Sequence, residues 1–184
     1  MNDFAMNRFV LSDPASFGRI DRPTAYRQVH LSELKGMFAD EDAWQRAIDR
    51  DDPLVYEVFM VEPESPSGWD MSYGTTVMHP GQVGGEYFFT KGHRHMPADR
   101  PEMYYVLGGE GVLLLAELSS DGRVETTEKV DLKPGLVAYI EARYAHRVVN
   151  TGSVDLAFFS AWPTDTGHDY ETVARSGFGL RLMG

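Results

Sequence analysis

The feature that most restricts how this chain can fold is a succession of short apolar runs, rich in β-branched and aromatic residues and separated by turn formers. The runs cover residues 54–61, 71–78, 86–90, 103–107, 111–118, 124–130, 136–140, 145–150 and 155–162. Between them stand Gly108-Gly109, Asp121-Gly122, Lys133-Pro134-Gly135 and Thr151-Gly152. Runs of this length and composition pair as strands, and tight turns between them favour antiparallel neighbours. The expected class is therefore all-β, an antiparallel barrel or sandwich, and a jelly roll fits the strand count.

Helical signals are confined to the ends. Ser32 is placed to cap a short helix. The acids Asp40-Glu41-Asp42 precede Ala43-Trp44-Gln45-Arg46-Ala47-Ile48, where a helix dipole favours them, and Trp44 and Ile48 lie four apart on the expected buried face. A last short helix is expected to begin near Tyr170. Residues 1–30, with Pro14 and Pro23 as breakers, read as an arm or edge strands. At 184 residues, without a repeat, linker or low-complexity segment, the chain is expected to be one domain. Its arm and short helices would occupy residues 1–50, the barrel 54–162 and a C-terminal segment 163–184.

Charge and cysteine content narrow the partners. Seventeen basic against 28 acidic residues give a net charge of −11, which argues against nucleic acid or an anionic membrane. No apolar run reaches bilayer-spanning length, and no secretory leader is visible at the N-terminus. With no cysteine, disulfides, thiolate metal sites and cysteine nucleophiles are excluded, and the cytoplasm is the expected compartment.

Chemistry concentrates in Thr90-Lys91-Gly92-His93-Arg94-His95 and in Pro101-Glu102-Met103-Tyr104. Histidines at i and i+2 share one face of an extended strand, so both imidazoles can reach one point. Glu102 joins them if the chain turns at Pro97 or Pro101, and His146 is the fourth candidate. Three imidazoles and a carboxylate suit a divalent Fe, Mn, Zn or Ni ion. The bland alternative is that His93 and His95 are surface strand residues. Lys91, Arg94, Arg100, Arg143 and Arg147 flank these positions and are candidates to attract a phosphate, or else solvated charges.

His93-x-His95, six residues, Glu102, five residues and Gly108, followed by Gly135, ten residues, His146, three residues and Asn150, resemble the two motifs of the cupins. The His-to-Glu gap is longer than usual, and Glu141 and Arg143 stand where cupins carry Pro and Gly. That resemblance implies a cupin jelly-roll barrel of antiparallel strands with a few short terminal helices.

From about residue 30 to 178 the chain also resembles the cupin-type phosphoglucose isomerases. The likeness is carried by Pro53-Leu54-Val55-Tyr56-Glu57-Val58, Thr75-Thr76-Val77, Thr90-Lys91-Gly92-His93-Arg94-His95, Glu102-Met103-Tyr104, Ala145-His146-Arg147-Val148-Val149-Asn150 and Gly167-His168-Asp169-Tyr170. The resemblance implies one divalent metal per subunit, iron ahead of Mn, Zn or Ni, held by His93, His95, Glu102 and His146. It places Tyr56, Thr76, Thr90 and Gly92 at a substrate phosphate, with Tyr104, His168 and Tyr170 facing the sugar. Trp162 stands where the family can carry Tyr.

The implied reaction interconverts glucose 6-phosphate and fructose 6-phosphate, a step shared by glycolysis and gluconeogenesis. It proceeds either by proton abstraction through a cis-enediol, with Glu102 as base, or by a metal-assisted hydride shift. Glu102, His168 and Tyr104 are the expected catalytic residues, and a homodimer is the expected assembly. The other readings are a dioxygenase-type cupin and a sugar-phosphate binding cupin without turnover. Without the resemblance, Thr76 and Thr90 would be ordinary strand residues, Tyr56 and Tyr104 aromatic core, Gly92 a plain turn, and His168 and Tyr170 helix-start packing.

Overall fold

The computed structural model describes residues 17–64 and 70–184, so the first 16 residues of the expected arm lie outside the described residues. In chain order come β1 (Ala25–His30), a 3-10 turn (Leu31–Leu34), α1 (Glu41–Arg50), β2 (Leu54–Val61), β3 (Met71–Met78), β4 (Gln82–Val83), β5 (Glu86–Tyr87) and β6 (Arg94–Met96). They are followed by β7 (Glu102–Gly108), β8 (Gly111–Leu118), β9 (Val124–Leu132), β10 (Val137–Ile140), β11 (Tyr144–Val149), β12 (Leu156–Pro163), β13 (Gly167–Asp169) and α2 (Tyr170–Ser176).

Among the described residues the strand pairings are antiparallel, and they nest. β3 pairs with β12, the segment carrying Phe89 and His93 bridges to Val149 and His146 of β11, β7 pairs with β10, and β8 pairs with β9. This first-with-last, second-with-next-to-last order is that of a jelly roll. One sheet runs β1-β2-β3-β12-β7-β10 and a second runs β11-β8-β9. Strand alternation puts Leu113, Leu115, Tyr144, Val148, Val106 and Phe158 into the core between them.

The N-terminal elements close one side of this core. Asp40 caps α1 by accepting from the Ala43 N–H at 2.7 Å, and Glu41 and Asp42 occupy its first turn. Trp44 is buried and its indole N–H donates to the Leu31 carbonyl at 3.0 Å, whereas Ile48 is only partly buried. Ser32 does not cap a helix. It lies inside the 3-10 turn that His30 begins, and its N–H and hydroxyl both donate to the Asp52 carboxylate at 2.8 Å.

The expected strand over 86–90 is shorter. The ribbon β4-β5 ends at Tyr87, and from there the chain crosses to β11. The Asn150 N–H donates to the Phe88 carbonyl at 3.0 Å, and the Thr90 N–H to the Val148 carbonyl at 2.9 Å. That crossing delivers the histidine segment to the edge of the second sheet, alongside β11.

Candidate metal centre and the cavity around it

His93 and His146 face each other across an isolated bridge, with reciprocal backbone bonds of 3.1 and 2.9 Å. His95 sits on β6, and Glu102 opens β7 after the turn through Pro97 and Pro101. The ligand atoms of all four lie within 4.8 Å of one another. Glu102 Oε2 is 3.0 Å from His146 Nε2, 3.3 Å from His95 Nε2 and 3.9 Å from His93 Nε2. Donors bound to one ion at about 2.1 Å stand roughly 3–4 Å apart, which is the spacing found here. The surface-strand alternative for the pair fails, since His95 is 2% exposed and His93 is also largely covered.

The hydrogen-bond pattern points the same way. His95 Nδ1 donates to the Arg100 carbonyl at 2.5 Å, which orients the ring and turns Nε2 toward Glu102. His146 is oriented alike by a longer contact of 3.4 Å to the Tyr144 carbonyl. Burial, then the neighbouring His146, His168 and His95, push His93 well below 6.5 and keep it neutral. Burial pushes the Glu102 carboxyl up, but His146 and His95 outweigh it and hold the group at about 2 while those rings carry protons, a part that a metal cation among the four would take over. Glu102 Oε2 and His146 Nε2 are buried without a hydrogen-bond partner. Lone-pair donors gathered out of water around one point repel unless a cation lies among them, and these residues therefore fit a divalent ion. The quartet is a candidate metal-binding site.

A cavity of about 160 Å³ opens onto three of the four donors, with His95 behind them. Its walls contain every expected substrate residue: Tyr56, Thr76, Thr90, Gly92, Tyr104, His168 and Tyr170. The Thr90 hydroxyl oxygen accepts from the Val148 N–H at 3.1 Å, leaving its proton free to donate. Burial raises Tyr56 to about 12 and Tyr104 well above 10, so both phenols remain protonated donors at neutral pH. β13 pairs with β6 in a register that sets His168 opposite His95, and the His168 ring lies 4.4 Å from that of His93. Burial, then His95, lowers His168 below 6.5. Asp169 then caps α2, whose first residue is Tyr170, so the expected helix start is found.

The flanking cations divide differently from the sequence expectation. Arg94 is paired with Asp169 at 2.8 Å, Arg100 with Asp165 at 2.6 Å, and Arg143 with Glu117 and Glu141 at 3.3 Å. Arg147 is buried between the rings of Phe89 and Phe178 and donates to the Lys91 carbonyl at 2.9 Å. Of the five, only Lys91 lines the cavity.

Sequence reasoning missed Arg27, which lines the cavity from β1 together with Val29. It also missed Ser160, although Phe158, Ser160 and Trp162 recur at every second residue of β12 and all face the cavity.

Comparison with known proteins agrees with this geometry. The sequence profile described as "Glucose-6-phosphate isomerase (GPI)" matches residues 28–183. A glucose-6-phosphate isomerase of Thermococcus litoralis is 43% identical over 148 residues, covering 80% of this chain and 75% of that protein. One from Thermococcus gammatolerans is 45% identical over 157 residues, covering 85% and 79%, and one from Sinorhizobium medicae is 37% identical over 166 residues, covering 90% and 74%. Among solved structures, hazelnut vicilin aligns over 62% of this chain and 32% of its own at 14% identity with a TM-score of 0.48. A Bacillus subtilis oxalate decarboxylase variant aligns over 62% and 28% at 18% identity with a TM-score of 0.46. With the profile spanning most of the chain and relatives well above 30% identical, this protein belongs to the glucose-6-phosphate isomerase family.

Proposed function

We propose that the chain interconverts glucose 6-phosphate and fructose 6-phosphate at the His93, His95, Glu102 and His146 centre. The observation that carries this reading is the convergence of three imidazoles and one carboxylate beside a cavity lined with hydroxyl donors. These four residues would hold one divalent ion, iron first and Mn, Zn or Ni next. When bound, that ion supplies Lewis-acid polarisation of the substrate carbonyl and neighbouring oxygen.

The chain's own groups do the rest. The Thr76, Thr90 and Tyr56 hydroxyls and the Gly92 N–H bind the phosphate, and fixing that remote group orients C1 and C2 for reaction. In the enediol route Glu102, ionised at neutral pH, accepts the proton from the substrate carbon and returns it to the adjacent one. Neutral His168 and protonated Tyr104 face the sugar and exchange or donate protons at its oxygens. In the hydride route the same residues bind and orient the substrate, and Glu102 does not touch carbon.

The reading also carries a single catalytic unit over residues 1–184 working in the cytoplasm as a homodimer. No described helix is long and apolar enough to cross a membrane. Support for a dimer comes from the outer face of β7 and β10. There Met103 lies opposite Tyr139 and Tyr105 opposite Val137, all exposed, as an apolar surface for a second copy to cover.

Turnover of fructose 6-phosphate, followed with and without a chelator, tests the activity. Activity lost on chelation and restored by Fe, Mn, Zn or Ni is expected, and full activity in metal-free protein rejects the proposal. Deuterium entering C2 from solvent supports the enediol route, complete retention of the original hydrogen the hydride route. Light scattering tests the dimer.

A further inference from the structure

A phosphate dianion entering this cavity needs countercharge. The hydroxyls of Tyr56, Thr76 and Thr90 donate hydrogen bonds but carry none, and the chain as a whole is strongly acidic. Among the described residues that line the cavity, the Arg and Lys side chains are Arg27 and Lys91. Both are at the mouth, and both approach the same carboxylate oxygen. Arg27 Nη2 is 2.8 Å and Lys91 Nζ 3.7 Å from Glu33 Oε2.

Glu33 is fixed from the other side, because its Oε1 accepts the His30 N–H at 3.2 Å and so closes the 3-10 turn. The Lys91 N–H approaches the Tyr56 hydroxyl at 3.5 Å, which places the Glu33 cluster at the phosphate end of the cavity. On β1, Arg27 stands opposite Val58 and Val29 opposite Tyr56, so the edge strand turns both toward this end.

We infer that Arg27 and Lys91 form a cationic lip that selects the phosphorylated end of the substrate, and that Glu33 is the anion which the phosphate displaces from it. This inference rests on the reading that the cavity takes a sugar phosphate. A phosphate carries more charge than a carboxylate and three acceptor oxygens, which match the planar fork of an arginine. Glu33, tied to the backbone of its turn, cannot follow the cations. Arg27 is long and half exposed, and can swing from one anion to the other. A sugar without phosphate gains nothing in return for breaking the Glu33 pair, and the lip therefore discriminates against it.

The test uses the metal-loaded full chain and two readouts: calorimetric binding of inorganic phosphate, and KM for fructose 6-phosphate. R27Q is expected to weaken phosphate binding and raise KM about tenfold, and R27K, which keeps the charge, to recover part of the loss. E33Q keeps an oxygen for the His30 N–H but releases both cations, so it is expected to tighten phosphate binding about threefold and lower KM. Thermal unfolding of each variant confirms that it is folded. Phosphate affinity within twofold of the parent in R27Q, or weaker binding in E33Q, overturns the lip. If phosphate binding shifts as expected but no variant or parent turns over fructose 6-phosphate, the isomerase reading fails and the lip stands. Intact turnover with no shift in R27Q or E33Q has the opposite meaning.

Discussion

Gly92 joins the expected phosphate residues to the metal ligands, and its replacement by alanine has a consequence that can be worked from the structure. Its φ is +71°, in the left-handed region. An added Cβ would lie 2.8 Å from Phe178 Cε2 and 2.9 Å from the His146 carbonyl oxygen. That oxygen accepts the His93 N–H, so it cannot retreat without opening the bridge between two metal ligands. Left-handed backbone costs a non-glycine residue about 1–2 kcal/mol, and overpacking adds about 1–3 kcal/mol.

Gly135 provides the control, because its φ is +86° and nothing lies within 4 Å of an added Cβ. Gly135→Ala therefore carries the backbone strain alone. In a domain of this size each kcal/mol lowers the melting temperature by roughly 2–4 °C. Gly135→Ala should fall by about 2–8 °C, and Gly92→Ala by a further 2–12 °C or so. Calorimetric melting of both variants, with metal titration alongside, is the assay. Only Gly92→Ala should also weaken metal binding. A Gly92→Ala protein that melts at or above Gly135→Ala, with unchanged metal affinity, refutes the packing argument.

Two further predictions address the supports of the site. Asn150 is fully buried; its amide donates to the Met78 and Val154 carbonyls and accepts the Gly152 N–H, each at 3.0 Å. Asn150→Ala leaves these groups unpaired and should destabilise the protein by about 3 kcal/mol or more, a fall of roughly 6–12 °C in thermal unfolding; a change below about 2 °C contradicts the assignment. Asp169 is held at about 2, below its ordinary 3.8, chiefly by the Thr172 N–H and hydroxyl and also by Arg94. Because its folded value is depressed, its stabilisation is complete above pH 3.8 and is lost as pH falls toward 2. Asp169→Asn should therefore lower the midpoint at pH 6, with the gap to the parent narrowing between pH 4 and 2; a constant gap across that window would count against the capping role.

The sequence made the metal quartet legible because strand alternation is rigid. A His-x-His pair on an extended segment has little choice but to share a face, and the cupin spacing then supplied Glu102 and His146. The start of α2 near Tyr170 was also legible, and the structure shows Asp169 capping it.

Arg27 was not legible. It lies on an edge strand where most residues of β1 are partly or fully exposed and no clear alternation marks the cavity side. Of the two readings open for Arg94, Arg100 and Arg143, phosphate attraction or surface charge, the structure shows each paired with a carboxylate, and nearness in sequence to the histidines says nothing of which carboxylate claims each guanidinium. Arg147 shows the same limit, since its two ring partners lie far from it along the chain. The shortened strand at 86–90 reflects a crossing between sheets, and apolar residues there look the same whichever sheet they join.

The account depends on one ion held by four side chains from three separate stretches of the chain. Anomalous diffraction from crystals of protein loaded with Fe or Mn measures this directly. The expected result is one peak bonded to Nε2 of His93, His95 and His146 and to the carboxylate of Glu102, at the inner end of the cavity. No peak there, or one that leaves His146 or Glu102 uncoordinated, would contradict it.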